Sequence, residues 1–445
     1  MRESNKTSLR LQVLERHGLN MEKKKLIAYI NAENELAESI LKKAESYERI
    51  GADELFIYNY SQNEGEREEF LLLMRQLTQT VDLPLMIGFS VKRLEDAKKA
   101  LYTGASRLVI SYRRLKDFAA IKEITDRFGK DKLLLEVDAS EENNDQAFYG
   151  DAFVSQCAES GVAGILVKHL DVNALTTAAI AAAKLPVYVR DSLTRNDIET
   201  LMSLENVAGV ATNYYEDKDM MKIKLMLKES GIPMYVLESA IDFASLKKNE
   251  AGLVPVIIQD YRTQEVLQLA YMNEESFEAT LKSGHMTYYS RSRNELWEKG
   301  LTSGHFQYVK ELTTDCDKDT ILAKVKQIGG ACHTGAYSCF FNKMLESAQE
   351  DLNPLKVFNE VYDVILDRKK NPKEGSYTNY LFDKGIDKIL KKCGEEATEI
   401  VIAAKNPEKE EIKYEVADFL YHLMVLMVEC NVDWNDIVRE LAHRR

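Results

Sequence analysis

Eight short apolar runs recur along the first half of the chain, each followed by a helical pattern, and this rhythm limits the fold more than any other feature. The runs are LIAYI (26–30), ELFIY (54–58), LPLMIGF (83–89), RLVISY (107–112), KLLLEV (132–137), GILVKH (164–169), LPVYV (185–189) and VAGVAT (207–212). Amphipathic segments such as NELAESILKKAESYERIGA and SVKRLEDAKKALYTGA separate them. Strands that read as near-continuous apolar runs are buried on both faces, as in a parallel sheet covered by helices. Eight such units in about 210 residues predict a (β/α)8 barrel over 23–240. A doubly wound open sheet is the alternative, because sequence does not show closure.

The rhythm stops at DFASLKKNEAG (242–252), so 241–252 reads as a linker. Residues 253–342 are rich in Tyr, Thr and Ser with short strand-like runs, which predicts a small β-rich α+β domain. After a second linker, 343–354, residues 355–445 are helical in pattern, with KKNPKEGSY (369–377) as a break. Three domains suit a chain of 445 residues. The extension 1–22 has charges but no apolar core, so it reads as no secretory signal, and Met21 is an alternative start. A net charge of −13 argues against nucleic-acid or anionic-membrane partners. It leaves room for a site where a few Lys and Arg grip a small phosphorylated substrate. No run approaches the ~18–20 apolar residues of a membrane span. Six cysteines in so long a chain make no disulfide framework, and a cytoplasmic location is expected.

The middle region concentrates metal-ligating residues. Cys316, Cys332 and Cys339 match the three protein ligands of a catalytic zinc and are soft enough to favour it over magnesium. Small buried core residues are the competing reading, better for Cys339 in YSCFF than for Cys332 in GGACHTG. Asp315, Asp317 and Asp319 resemble the opening of an EF-hand loop, but Thr320 and Lys326 stand where that loop needs Gly and Glu. On an extended segment the three Asp would face a magnesium ion while Cys316 faces the opposite way, towards zinc; a solvated acidic turn is the alternative. Upstream, GHMTYYSRSRNELWEKGLTSGHFQ (284–307) offers Arg291, Arg293, Lys299, Thr302 and Ser303 for phosphate and ribose, and equally suits a surface hairpin.

The blocks AYMN (270–273), SRSRNELWEKGLTSG (290–304), DCDKD (315–319) and ACHTGAYSC (331–339) resemble phosphoribosyl-AMP cyclohydrolase. The resemblance implies hydrolytic opening of the adenine ring with zinc and magnesium. Cys316, Cys332 and Cys339 would hold zinc, and Asp315, Asp317 and Asp319 magnesium. It also implies a homodimer, the zinc site being completed between subunits. His333, beside Cys332, is the expected general acid/base, and zinc would bring bound water towards ionisation near pH ~7.

In the last region KKCGEEATEIVIAAK (391–405) and YEVADFLYHLMVLMVEC (414–430) carry Glu395 and two i,i+3 pairs, Glu396/Glu399 and Glu415/Asp418. A solvated acidic face is the ordinary reading. The surrounding residues are apolar nearly all round, which predicts burial and hence cation partners for the carboxylates. Four hard donors on two helices suit magnesium on a polyphosphate. With YTNYLFDKGIDKILKKCGEEATE, the pattern resembles phosphoribosyl-ATP pyrophosphatase, an ATP-derived-nucleotide hydrolase whose product is the cyclohydrolase substrate. Lys384, Lys391 and Lys392 are phosphate-binding candidates, although surface lysines are commoner.

The barrel segments GADELFIYNYS, LPLMIGFSVKRLEDAKKALYTGASRLVIS, LLLEVDAS and KESGIPMY resemble the cyclase subunit of imidazole glycerol phosphate synthase. Asn31 stands where that family has a first-strand acid, Phe89 and Ser90 replace glycines after Gly88, and VYVRDSLTR has none. Only Asp138 matches a catalytic acid. Without close-approach glycines the phosphate cradle is lost, so an inactive barrel is expected. Residual cyclase activity, or a metabolite-binding regulatory module using Arg190 or Lys168, is the alternative. For the whole chain, a nucleotide-housecleaning pyrophosphatase joined to an unrelated zinc domain, or a metal-dependent scaffold, competes with a bifunctional enzyme of histidine biosynthesis.

Overall fold

The eight predicted strands close on themselves. In the computed structural model, which describes residues 23–140, 151–345, 353–405 and 408–442, they form one parallel barrel. Its strands are β1 (Lys25–Asn31), β2 (Glu54–Asn59), β3 (Leu85–Phe89), β4 (Arg107–Ser111), β5 (Leu133–Asp138), β6 (Gly164–Lys168), β7 (Val187–Arg190) and β8 (Val207–Thr212), and β8 pairs back onto β1. The open-sheet alternative is thereby excluded. Residues 1–22 and most of the 343–354 linker lie outside the described residues.

Strand alternation sorts the barrel side chains into layers. Ile27, Phe56, Met86, Val109, Leu134, Leu166, Tyr188 and Ala211 fill the interior. The outward set packs under the helices, including α1 (Ala37–Arg49) and α2 (Glu64–Thr80). Asn63 caps α2 by accepting bonds from the Gly65 and Glu66 amides. Glu54 near the start of β2 is paired with Lys25 and Arg107, so charge is neutralised inside the barrel. The remaining described helices of this region are α3 (Leu94–Leu101), α4 (Phe118–Phe128), α5 (Asp151–Ser160), α6 (Ala174–Ala182), α7 (Ile198–Ser203) and α8 (Met220–Glu229).

The β-rich region belongs to the same compact unit, which ends at Phe341, yet keeps its own core. Its four-stranded sheet runs β10 (Val266–Met272), β9 (Val254–Asp260), β14 (Ile321–Gln327), β13 (Gln307–Thr314). Helix α9 (Glu274–Ser283) leads into a separate hairpin of β11 (Thr287–Ser290) and β12 (Glu295–Glu298). The 241–252 segment takes part in this region: Phe243 and Leu246 are buried in the sheet's core. A second unit, 342–445, holds α10 (Pro354–Lys370), α11 (Tyr377–Lys384), α12 (Ile386–Lys405), α13 (Lys409–Glu429) and α14 (Trp434–Ala442). Its core is built on Ile365, Leu381, Ile389, Met424, Val425 and Val428.

Candidate active sites

The acidic segment of the middle region is a turn. β13 ends at Thr314 and β14 begins at Ile321, so 315–320 must reverse the chain. Asp315 accepts bonds from the Asp319 and Thr320 amides, and Lys318 sits at φ 61°. The extended, two-sided geometry expected from the alternation is therefore corrected. The turn still gathers the three carboxylates: Asp315, Asp317 and Asp319 place oxygens within 4.8 Å of one another, all exposed. Lys247 reaches Asp317 at 3.2 Å.

Cys332 and Cys339 come together, their thiols close enough to interact. Cys316 is exposed on the turn, and among the described residues no cysteine belongs to a three-ligand group within one chain. Thr334 Oγ1 donates to Cys332 Sγ at 3.2 Å and lowers its pKa, aided by backbone amides and Cys339. Burial raises the Cys339 thiol, and neighbouring Cys332 raises it further. Lys299, 5% exposed, stands by this pair. Burial lowers its pKa, and the two thiols pull it back up. His333 is exposed, with Nδ1 3.8 Å from Cys332 Sγ.

The rest of the predicted binding set lies around the hairpin. Arg291 stacks on Tyr271 at 3.9 Å, and Arg293 pairs with Glu295 at 3.4 Å. Thr302 and Ser303 are exposed in the turn after β12. Two side chains missed from sequence are Thr334 and His305; the latter's Nδ1 lies 3.1 Å from the Gly330 carbonyl. Thr334 was discoverable, being two residues from a candidate ligand.

On α12 and α13, Glu396, Glu415 and Asp418 bring carboxylate oxygens within 4.8 Å of one another. Glu399 joins through contacts with Glu396 and Glu415. Of these only Glu396 is buried. Val401, Ile402 and Tyr414 are 62%, 58% and 63% exposed within the chain, which corrects the expected all-round burial. Burial opposes ionisation of Glu396, but Lys392 at 3.0 Å, a bond from Glu399 and nearby His422 lower its pKa. Glu399 is raised in turn by Glu396 beside it. Lys392 also pairs with Glu395 at 3.0 Å, and Lys391 with Glu395 at 3.3 Å. Lys384 lies 5.9 Å from the Tyr380 ring. Tyr377 and His422, joined at 3.0 Å, were missed. His422 follows Asp418 by four residues on one helix, which is the signal that would have found it.

At the carboxyl ends of the barrel strands the cations are already engaged. Asp138 meets Lys168 at 3.0 Å and His169 at 2.9 Å. Burial works against its ionisation, but bonds from Ser140, His169 and Lys168 hold it well below the usual range. Arg190 pairs with buried Glu136 at 3.1 Å and stacks on Tyr58 at 4.6 Å. Burial raises the Glu136 pKa against the pull of Arg190 and Lys168. Gly88 is pressed by Tyr58 and Tyr60, so its missing Cβ makes room for tyrosines.

A thiol pair and a carboxylate cluster on the sheet domain, a carboxylate cluster on two helices and a parallel barrel describe a multidomain enzyme with two candidate metal-binding groups. Family profiles match in the same order: "Histidine biosynthesis protein" over 23–175, "Phosphoribosyl-AMP cyclohydrolase" over 268–341 and "Phosphoribosyl-ATP pyrophosphohydrolase" over 358–445. The histidine biosynthesis bifunctional protein HisIE of Caldanaerobacter subterraneus is 55% identical over 204 residues, 46% of this chain and 98% of that protein. The proteins of the same name from Lactococcus lactis and Bacillus subtilis are 51% and 50% identical, over 43% and 45% of this chain and 88% and 94% of their own lengths. The chain belongs to this family of bifunctional histidine-biosynthesis enzymes. Among the described residues, no helix is long and apolar enough to cross a membrane.

Proposed function

We propose that the chain hydrolyses phosphoribosyl-ATP to phosphoribosyl-AMP and pyrophosphate on its helical unit and then opens the adenine ring on its sheet domain, beside a barrel without cyclase activity. The observation that carries the two-step reading is the pair of separate carboxylate clusters, one on the β13–β14 turn and one on α12 and α13. Their hard oxygens suit magnesium, and the Cys332–Cys339 pair suits zinc. Cys316 of a second copy would complete the thiol set in a homodimer. When bound, zinc supplies Lewis acidity that makes water a nucleophile near neutral pH.

The chain's own groups do the rest. Lys299 balances the thiolate charge, which makes it a partner of the thiols rather than a phosphate ligand. Arg291 and Arg293, with Thr302 and Ser303, orient the phosphoribosyl group, and His333 moves a proton to or from the purine ring. On the helices, Lys392 and His422 keep Glu396 charged while Glu399 shares its proton. Lys384 and Lys391 face the polyphosphate. A cytoplasmic location suits this metabolism.

The test is incubation with phosphoribosyl-ATP, zinc and magnesium, with products resolved by chromatography. Cys332→Ala is expected to release pyrophosphate and accumulate phosphoribosyl-AMP. Glu399→Gln is expected to lose pyrophosphate release by roughly 100-fold or more and still open supplied phosphoribosyl-AMP. Parental behaviour of both variants would show the sites to be misassigned. For the barrel, no imidazole glycerol phosphate should form from the cyclase substrate and ammonia. Turnover lost in Asp138→Asn would revive the active alternative. The engagement of Lys168 and Arg190 by the barrel's own acids supports the inactive reading.

A further inference from the structure

The sheet domain meets the barrel through a cluster that neither set of catalytic residues uses. Asp82, in the loop between α2 and β3, receives Tyr261 Oη at 2.7 Å, Arg262, Lys310 Nζ at 3.2 Å and Lys326 Nζ at 3.7 Å. Glu48, in the last turn of α1, takes Lys326 at 2.8 Å and also accepts the Asp82 amide. Both acids lie at helix-to-strand connections, the amino-terminal floor of the barrel and the end opposite Asp138. Lys326 is 7% exposed, so its charge is enclosed between the two domains. Enclosed charges of this kind demand their partners.

Beside this cluster a second contact runs to the substrate side. His285 immediately precedes Met286 and β11 and is buried against Phe306 and Tyr308. Its Nε2 lies 2.9 Å from the Arg49 carbonyl oxygen, which only accepts, so that nitrogen carries a proton. Its Nδ1 lies 2.9 Å from Glu298 Oε1, at the end of β12 and next to Lys299. The β11–β12 hairpin carries Arg291 and Arg293 between its strands and Lys299 after them.

We infer that the barrel floor is the seat of the cyclohydrolase sheet, and that His285 is a positioning residue, tying the barrel's α1 to the hairpin that holds phosphoribosyl-AMP. The inference rests on the reading of that hairpin as the substrate-binding element. The relatives named above match over nearly their whole length with fewer than half of this chain's residues, so they have no room for a barrel of this size. The Arg49 bond is therefore a support that this chain adds.

Steady-state ring opening by the full chain tests it, with the thermal unfolding of the same preparation as the control for folding. His285→Ala is expected to raise KM for phosphoribosyl-AMP roughly fivefold, the worth of one buried hydrogen bond, with kcat held to about twofold. Glu298→Ala should do the same from the more exposed end of the bridge, where truncation spares the core. Glu298→Gln, whose amide still bonds the ring nitrogen, should stay near the parent. Parental KM in both alanine variants, or a fall in kcat at unchanged KM, overturns the positioning role. Arg291→Ala separates the two levels: if it raises KM while His285→Ala does not, the inference alone fails. If Arg291→Ala leaves KM unchanged, the hairpin reading fails and the inference with it.

Discussion

Asp82 shows how much one carboxylate does when several donors converge on it. Burial opposes its ionisation, yet the Tyr261 hydroxyl and the Lys326, Lys310 and Arg262 charges outweigh that and bring its pKa to about 2 from 3.8. A depressed pKa means that the unfolded chain binds the proton more readily. The stabilisation is therefore complete above pH 4 and is lost as pH falls from about 4 to 2. It amounts to about 2 kcal/mol. Asp82→Asn should unfold at lower denaturant concentration than the parent at pH 7, and the gap should narrow steadily below pH 4. Nothing local in the sequence marks this residue, because its partners lie about 180 positions away or more. Asp315, Asp317 and Asp319 stand out by their local spacing, but the turn between β13 and β14 is what gathers their carboxylates. Burial of the cysteines was not legible: the flanks favour a core for Cys339 over Cys332, yet Cys332 is buried and Cys339 exposed.

Among the elements, the barrel strands were readable because burial on both faces leaves a continuous apolar run. Alternation does not place the acidic turn, because it carries no information on how β13 and β14 connect. Antiparallel neighbours seven residues apart require a reversal, and Lys318 in the left-handed region supplies it. Helices α12 and α13 mislead in another way. Apolar composition does not specify which face finds a partner, and Val401, Ile402 and Tyr414 remain exposed in one chain. Gly88 offers a test at this scale. A Cβ there would lie 2.4 Å from Tyr58 Cβ, inside a filled barrel. Gly88→Ala should cost about 1–3 kcal/mol of stability in thermal unfolding, with pyrophosphate release unchanged below the transition. Had Gly88 served only as a phosphate cradle, the alanine variant would unfold like the parent.

For the molecule as a whole, two chemistries rest on two kinds of donor, and they should part company when metals are withdrawn. After exhaustive chelation, magnesium alone is expected to restore pyrophosphate release, while ring opening should need zinc as well; chromatography of both products checks this. Recovery of both steps on magnesium alone would place the thiols outside the chemistry.

The seating of the sheet domain on the barrel floor has a consequence for the other end. Asp138, Lys168 and Arg190 bond within the barrel, and the joint with the sheet domain is made by Glu48, Arg49 and Asp82. Among the described residues, these joint contacts come from the opposite end to the loops that follow the strands. Those loops form the end on which barrels of this architecture acquire activities. A third catalytic or sensing function could be grafted there by loop exchange, with the two hydrolytic sites serving as an internal gauge that the host remains intact.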